Sequence, residues 1–377
     1  MGVAMSKPLY LDYNATTPVA AEVLEAMLPC LAQHYGNPSS SHAHGAKASE
    51  AMRAARESVA ALLGAAADEI VFTGSATEAN NLALLGVARA LAGEKRHLVV
   101  SAVEHPAVIE PALQLQREGW DLSVIPVDAY GRVDPAAVAA ALRPDTALVS
   151  IMHANNEVGT IQPVAEIAAI AKARGILMHT DAAQSAGKIP LDVEALGVDL
   201  LTLAGHKFYA PKGVGALYVR TGTPIAPIQF GAGQERGLRP GTENVPQMVG
   251  LGAAARLARE RLPAATEKLR ALRDALHERL AAAVPGLMLN GHPSERLPNT
   301  LSVSFPGIAG RELLSRVEGR LAASVGSACH SENDAVSGVL AAMGFDAHRA
   351  MGAVRLSVGW MTTPEEIETA AAALSEL

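Results

Sequence analysis

The 377-residue chain is poor in cysteine, in aromatic residues and in charge. Its two cysteines, Cys30 and Cys329, lie far apart and form no Cys-x-x-Cys pair. A disulfide framework and a zinc module are therefore not expected, and we predict no metal site. Aromatic residues make up 3% of the chain, against 49% hydrophobic residues in all, so the core must consist mainly of Ala, Leu, Val and Ile. This composition favours an α/β protein with buried strands and alanine-rich helices.

Long apolar runs and basic runs are also missing. No stretch approaches the ~18 uninterrupted apolar residues of a membrane-spanning helix, and no apolar signal segment follows residues 1–8. The net charge is −7, without a basic cluster of the kind that follows nucleic-acid phosphates. We therefore expect a cytoplasmic protein that binds neither nucleic acid nor membrane. An acidic chain can still contain a local cationic pocket for a phosphate ligand.

Strand and helix signals alternate through the first two-thirds of the chain, with helices such as 78–91 and 164–174 between strands. This alternation predicts a mostly parallel sheet covered by helices on both faces, and ligands bind such sheets at the carboxyl ends of the strands. The seven predicted strands are 69–72, 97–101, 123–127, 147–152, 176–180, 199–203 and 215–219.

The pattern changes near Gly250. Residues 253–284 form a long, charged helical stretch, and residues 300–305 and 354–358 are typical strands with helices around them. We therefore predict a second, smaller α+β domain. The large domain is expected over residues 16–255, and the small domain over residues 1–15 and 256–377.

Lys207 and Asp181 each follow a predicted strand and together carry the most informative chemistry. A lysine amine can form a Schiff base with an aldehyde, and a carboxylate can keep a pyridine nitrogen protonated, so the pair predicts a pyridoxal 5'-phosphate (PLP) site. Taken singly, Lys207 is compatible with a structural role and Asp181 with a helix cap. Gln184 is either a partner for the ring hydroxyl oxygen or an ordinary polar residue of the first turn.

The segment 74–78, Gly-Ser-Ala-Thr-Glu, ends one predicted strand and opens a helix. Free N–H groups and partial positive charge at a helix start suit a phosphate, which makes Ala76 and Thr77 candidate ligands. The alternative is simple helix capping by Ser75 or Thr77.

Three isolated residues complete the candidate chemistry. His105 follows a strand, where an imidazole could stack on the cofactor ring and transfer protons, or be structural. Cys329 lies among small and polar residues, which suits an exposed sulfur nucleophile better than a buried hydrophobe; Cys30 fits the buried role. Arg355 lies on a predicted strand, where it could clamp a substrate carboxylate or form an internal salt bridge.

Long motifs support a family resemblance that runs nearly end to end. They include residues 9–18 (LYLDYNATTP), 36–40 (GNPSS), 155–159 (NNEVG) and 239–244 (RPGTEN). The chain resembles the NifS/IscS-type cysteine desulfurases, which belong to the class-V aminotransferase family of fold-type I PLP enzymes. Two positions depart from the family pattern: Ala204 stands where serine is frequent, and Trp360 where arginine is common.

The resemblance implies a role for each candidate. Lys207 would bond the cofactor aldehyde, Asp181 would pair with the pyridine nitrogen, and Gln184 with the ring hydroxyl. Thr77 and His206 would hold the phosphate, and Thr242 would reach the phosphate of the other subunit of a homodimer. The implied catalytic residues are Lys207, Cys329 and His105; the implied cofactor ligands are Ala76, Thr77, His105, Asn156, Asp181, Gln184, His206, Lys207 and Thr242; the implied substrate ligands are Asn156 and Arg355.

The implied activity converts L-cysteine to L-alanine and leaves the sulfur on Cys329 as a persulfide, for transfer to an acceptor protein such as one of iron–sulfur cluster assembly. Residues 323–332 and 230–236 also resemble selenocysteine lyases, for which the substrate is L-selenocysteine. Pro106 favours the desulfurase. An ordinary aminotransferase is a remoter alternative. A protein that has lost its chemistry is a further one, and the combination of Lys207, Asp181, His105 and Cys329 argues against it.

Overall fold

A computed structural model of the protein describes residues 7–326 and 337–376. The strands are β1 (Leu9–Tyr10), β2 (Ile70–Thr73), β3 (His97–Ser101), β4 (Asp121–Ile125), β5 (Thr146–Ser150), β6 (Leu177–Asp181), β7 (Leu200–Ala204), β8 (Gly215–Val219), β9 (Met288–Asn290), β10 (Thr300–Ser304), β11 (Leu321–Ala322) and β12 (Ala353–Ser357). The helices are α1 (Ala21–Ala32), α2 (Ala43–Leu63), α3 (Ala76–Leu91), α4 (Pro106–Arg117), α5 (Pro135–Ala141), α6 (Val164–Lys172), α7 (Val193–Leu196), α8 (Val245–Ala283), α9 (Gly310–Arg316), α10 (Gly338–Ala342), α11 (Ala347–Met351) and α12 (Pro364–Ser375).

A seven-stranded sheet with the order β2-β8-β7-β6-β5-β3-β4 forms the centre of the molecule. Strand β8 is antiparallel to both β2 and β7, whereas the pairs from β7 through to β4 are parallel. Strand β2 therefore points the same way as β3 to β7. The predicted α/β class and the mostly parallel seven-stranded sheet are confirmed.

Side chains of the central strands alternate between two buried faces. Ile70 and Phe72 belong to one apolar cluster and Val71 to the other, and Leu201 and Leu200 divide in the same way. Because both faces are buried, the central strands read as continuous apolar runs in the sequence. Helices α3 and α4 cover one face, and α2, α6 and the first half of α8 cover the other.

A second apolar cluster lies beside a three-stranded antiparallel sheet, β9-β10-β12. The second half of α8 contributes Leu269 to Leu280, and α9 and α12 complete the cluster. Helix α8 thus reaches both cores as one continuous element of 39 residues.

The N-terminal arm joins the two parts of the structure. Strand β1 pairs in parallel with β11, Leu9 opposite Leu321. Asp12 then forms a bridge with Ser357 at the end of β12. Beyond it, the main-chain N–H of Thr17 donates to the carbonyl of His206, which follows the central strand β7.

Cys30 is buried in α1, which matches its prediction as a small buried hydrophobe. Cys329 lies outside the described residues. Over the described residues, no helix has both the length and the apolar character that crossing a bilayer requires.

Candidate active site

The polar residues singled out from the sequence gather where strands of the central sheet end. Asp181 is the last residue of β6, and Lys207 ends the short 3-10 turn Gly205–Lys207 that follows β7. His105 follows β3 and Asn156 follows β5. Because these strands are parallel, their carboxyl ends lie at one edge of the sheet, where ligands of such folds bind.

Lys207 contacts the N-terminal arm. Its Nζ donates to the main-chain oxygens of Asn14 and Ala15, at 2.7 and 2.9 Å. The turn that carries it is tied down by Thr17, whose Oγ1 donates to the carbonyl of His206 and accepts from the N–H of Tyr209, a residue with φ of +69°. The amine is therefore held in place by main-chain oxygens that belong to a distant part of the chain.

Asn14 connects the amine to both sheets. Its side chain is buried and donates to the carbonyl of Asn156 (3.2 Å) and to Oγ1 of Thr300 (2.8 Å). Its main-chain N–H donates to Oγ of Ser357. Its main-chain oxygen accepts from Lys207 and also from Nε2 of Gln184, at 3.0 Å. Any shift of this residue is transmitted to both side chains.

The Asp181 carboxylate is buried and precisely held. Nδ2 of Asn80, on α3, donates to its Oδ2 at 2.7 Å, and the N–H of Ala183 donates to its Oδ1 at 2.9 Å. The second contact is made within a turn; residues 183–188 form turns and not the helix whose cap was considered from the sequence. Oδ1 of Asn80 is buried and has no hydrogen-bond partner within the described part of the chain. Asn80 thus fixes the orientation of the Asp181 carboxylate.

Gln184 is held at both ends of its amide. Nε2 donates to the main-chain oxygen of Asn14, and Oε1 accepts from Nζ of Lys188 at 3.0 Å. Both Gln184 and Lys188 are buried. The amide therefore has one fixed orientation.

His105 caps helix α4. Its Nδ1 accepts from the N–H of Ala107 at 3.1 Å, so the neutral ring carries its proton on Nε2. Burial lowers the pKa of His105; the charge of Asp181 opposes that shift and the charge of Lys207 adds to it. Because both charges act on the ring, the imidazole shares one site with the carboxylate and the amine.

Glu104, next to His105, is a buried carboxyl between two strand ends. Its Oε1 accepts from Oγ of Ser101 (2.6 Å) and from the N–H of Met152 (2.8 Å). Its Oε2 is buried without a partner among residues 7–326 and 337–376. Burial raises the pKa of Glu104 to about 8, so the group is a neutral acid at pH 7.

His206 is half-buried, and its Nδ1 lies 3.2 Å from Oγ1 of Thr16. Burial lowers the pKa of His206 to about 4, and the neighbouring charges of Lys207, Lys212 and Lys188 act in the same direction. The ring is neutral at pH 7 and presents both a donor and an acceptor.

The start of α3 forms a cradle of main-chain N–H groups. Ser75 caps the helix by accepting from the N–H of Glu78, so the cap is Ser75 and not Thr77. The N–H groups of Ala76 and Thr77 lie in the first turn, where a helix offers them no acceptor. A Cβ on Gly215 would lie 2.7 Å from the carbonyl carbon of Ser75, so only glycine lets β8 approach this turn.

Thr242 is exposed in this single chain. Its segment is attached to the same helix start, because Nε of Arg239 donates to Oε1 of Glu78 at 2.9 Å. Thr77 is exposed as well. No contact between Thr77 and Thr242 is seen within the described ranges.

Arg355, on β12, is buried and forms the internal salt bridge that was one of its two predicted roles. Its Nη2 forms a salt bridge with Oδ1 of Asp12 at 2.7 Å. Its Nη1 donates to the carbonyls of Asn156 (3.0 Å) and Gly326 (3.3 Å). Its Nε is buried with no partner in the described residues, which leaves a cationic donor for an anionic ligand.

Four contributors to this site were not identified from the sequence. They are Asp12, Asn14, Asn80 and Lys188, which contact Arg355, Lys207, Asp181 and Gln184 respectively. Asp12 and Asn14 lie in the family motif 9–18, which is the feature of the sequence that could have indicated their role. Of the two positions that depart from the family pattern, Trp360 stacks on Tyr209 with ring centroids 3.9 Å apart, and Ala204 is the buried last residue of β7.

The donor set fits PLP. The site offers an amine at Lys207, a buried carboxylate at Asp181 and an oriented amide at Gln184. A helix N-terminus at Ala76 and Thr77 supplies N–H groups for a phosphate. These are the four kinds of group that the cofactor's aldehyde, pyridine nitrogen, hydroxyl and phosphate require.

Comparisons with known proteins show the family and the fold. The family model described as aminotransferase class-V matches residues 9–369. A protein named cysteine desulfurase IscS, from Anaeromyxobacter sp. (strain Fw109-5), is 48% identical over 367 residues, which cover 97% of this chain and 91% of that protein. A solved structure titled NifS-like protein superposes with a TM-score of 0.92 at 41% identity, covering 98% of this chain and 99% of the other. Another, titled SspA in complex with cysteine, has a TM-score of 0.83 at 38% identity, with coverages of 94% and 99%.

Proposed function

The chain belongs to the class-V aminotransferase family, and from that premise we propose that it is a cysteine desulfurase that converts L-cysteine to L-alanine. The family consists of PLP enzymes. The observation that carries the proposal is that the Lys207 amine and the Asp181 carboxylate lie at the carboxyl edge of the central sheet, where Arg355 of β12 reaches the carbonyl of Asn156. A relative of the same fold, SspA, has been solved in complex with cysteine.

Four residues of the chain hold PLP in this proposal. Lys207 would bond its aldehyde, Asp181 would pair with its ring nitrogen, Gln184 would contact its hydroxyl, and the N–H groups at Thr77 would receive its phosphate. When bound, PLP would supply an electron-accepting ring that stabilises negative charge at the substrate α-carbon. The Asp181 carboxylate, held by Asn80 and Ala183, would favour the protonated ring.

Substrate binding is assigned to Arg355 and Asn156. The guanidinium offers its unused Nε and its remaining N–H groups to the substrate carboxylate, although Asp12 already neutralises part of its charge. Once the substrate amine has replaced Nζ of Lys207 at the cofactor aldehyde, the freed amine would take the proton from the substrate α-carbon. His105 would exchange a proton with the reacting group. Burial lowers the pKa of His105, which favours a neutral ring whose Nε2–H can donate to the reacting group.

Sulfur transfer is assigned to Cys329, which becomes the persulfide and passes its sulfur to an acceptor protein. The described residues on either side of the undescribed segment are anchored near Arg355. The carbonyl of Gly326 accepts from its Nη1, and Oγ of Ser337 donates to Oε2 of Glu157 at 2.5 Å. Gly326 and Ser337, the described residues that flank the undescribed segment, thus both lie near the proposed substrate ligand Asn156.

A homodimer would complete the phosphate site with Thr242 of the second copy. Two features of the surface support this. Thr242 is exposed here, and α1 carries Leu24, Leu28 and Leu31 exposed along one face with i, i+4, i+7 spacing. An exposed apolar stripe of this kind is typical of a surface that another protein covers.

The deciding experiment incubates purified protein with L-cysteine and, separately, with L-selenocysteine, and measures alanine release together with the mass of Cys329. We expect alanine from cysteine and a mass increase of one sulfur atom on Cys329. The Cys329→Ala variant should retain cofactor and lose desulfuration. Strong preference for selenocysteine with inhibition by cysteine would establish the lyase instead, and unchanged turnover of Cys329→Ala with an amino acceptor would establish an aminotransferase.

A further inference from the structure

A second lysine, Lys188, is buried beside the catalytic one and has no role in the function proposed above. It lies in the turn that follows β6, only 6% exposed. Its carbonyl accepts from Oγ1 of Thr266 on α8, which attaches the turn to the long helix. The preceding Gly187 has φ of +71°, and a Cβ there would lie 3.1 Å from Cβ of Phe208. The turn is thus packed tightly against the segment that carries Lys207.

Lys188 points toward the site. Its Nζ donates to Oε1 of Gln184 at 3.0 Å. It also lines, together with Lys207, Asn299 and Trp360, a small cavity of about 10 Å³, which is room for about one water molecule. Lys188 therefore contacts Gln184 and borders the same small cavity as Lys207.

The surroundings of Lys188 disfavour a charged amine. Burial, followed by the charges of Lys207 and Arg355, lowers its pKa well below the ordinary value of a lysine. Its own charge in turn acts on His206. An apolar side chain would fill the same space without desolvating an amine, so packing alone does not account for a lysine at this position.

We propose that Lys188 is a positioning residue of the cofactor site, which acts by holding Oε1 of Gln184 so that the amide presents Nε2 to bound PLP. This inference rests on the proposed function. An amide nitrogen has two hydrogens. Asn14 accepts one, and with Oε1 held by Lys188 the second stays available for the ring hydroxyl oxygen. Lys188 and Asn14 thus fix the amide from opposite ends.

The test compares wild type with Lys188→Met, Gln184→Met and the double variant, all loaded with PLP. The absorbance maximum of the bound cofactor, its dissociation constant and the Tm are measured. We expect Lys188→Met to shift the absorbance maximum and to weaken PLP binding about tenfold, as the loss of one hydrogen bond implies. Its Tm should change little, because removing a buried amine is favourable and leaving Oε1 of Gln184 without its donor is unfavourable. In the Gln184→Met background, Lys188→Met should have no further effect on absorbance or binding.

The matched control is Lys172→Met, the same substitution at an exposed lysine on α6; it should leave all three measurements unchanged. If Lys188→Met does not fold, Lys188→Gln replaces it in the comparison of single and double variants. Glutamine keeps an N–H donor on a shorter side chain, so a smaller shift of the absorbance maximum is expected. Wild-type absorbance and affinity in Lys188→Met would overturn the proposal, as would an effect that persists in full without Gln184. Failure of the wild-type protein to bind PLP at all would instead contradict the proposed function.

Discussion

Lys207 and Gln184 donate to the same acceptor, the main-chain oxygen of Asn14, at 2.7 and 3.0 Å. The two residues come from different loops, one after β7 and one after β6. A single peptide group of the N-terminal arm therefore sets their relative position. A covalent bond to PLP leaves Nζ of Lys207 with fewer hydrogens to donate. Binding of the cofactor must therefore change its hydrogen bond to the main-chain oxygen of Asn14.

Replacing Lys207 by alanine should abolish covalent attachment of PLP and reduce alanine formation by at least about a thousandfold, because the amine both bonds the cofactor and moves the α-proton. Borohydride reduction followed by mass spectrometry measures attachment directly. Lys212→Ala, which removes an exposed lysine from the same loop, is the control and should retain the adduct. A reduced adduct on another lysine of the Lys207→Ala protein would contradict the assignment.

Replacing Asn80 by leucine should weaken PLP binding and lower the free energy of unfolding by about 1–3 kcal/mol, because the buried Asp181 carboxylate loses a donor. Cofactor titration and urea denaturation measure the two effects. Asn81→Leu, at a partly exposed position one residue further along α3, is the matched control for stability. Equal stability of the Asn80 and Asn81 variants would show that the Asn80 contact is dispensable.

The raised pKa of Glu104 should make the free energy of unfolding depend on pH. Its pKa is raised to about 8 in the folded protein, so the folded state retains a proton that the unfolded state loses above its ordinary value of 4.5. The resulting stabilisation is complete below pH 4.5 and is lost as the pH rises through about 8. Over that window it falls by up to about 1.4 kcal/mol per pH unit.

Glu104→Gln keeps the neutral form at every pH, so its free energy of unfolding relative to wild type should rise between pH 5 and pH 8, measured by urea denaturation at several values. The exposed Glu25→Gln is the control and should follow wild type. A constant difference between Glu104→Gln and wild type across this range would mean that Glu104 is ionised in the folded protein.

Arg355→Lys should raise the KM for L-cysteine about 10- to 100-fold with little change in cofactor absorbance, because lysine cannot make a bidentate contact with a carboxylate. Steady-state kinetics and absorbance spectra measure this. Asp12→Asn separates the two roles of Arg355: it removes the salt-bridge partner and should lower stability while leaving substrate binding intact. An unchanged KM in Arg355→Lys would show that Arg355 does not bind the substrate carboxylate.

Local pattern was sufficient to predict the central sheet, because each buried strand is a short apolar run with a polar residue after it. The strand predicted at 123–127 is β4 at 121–125; it lies at the sheet edge with half-exposed residues, and Pro126 ends it because proline has no N–H to donate. The opposite direction of β8 carried no local signal.

The supporting side chains were harder to predict than the reactive ones. Asn80 and Lys188 are buried, although no motif near them in the sequence predicts burial of a polar side chain. The pairing of Arg355 with Asp12 joins positions 343 residues apart. Their roles arise from tertiary packing. The roles of the individual site residues and the domain division after residue 255 stay predictions; helix α8 runs through that point without a break.

The pairing of β1 with β11, and of Asp12 with Ser357, has a consequence for how the protein is made. Strand β1 is translated more than 300 residues before its partner strand β11. Contacts of such long sequence separation form late in folding. The arm that contacts Lys207 can therefore be anchored only after β11 and β12 have been made, and a nascent chain without them does not have a finished reaction centre.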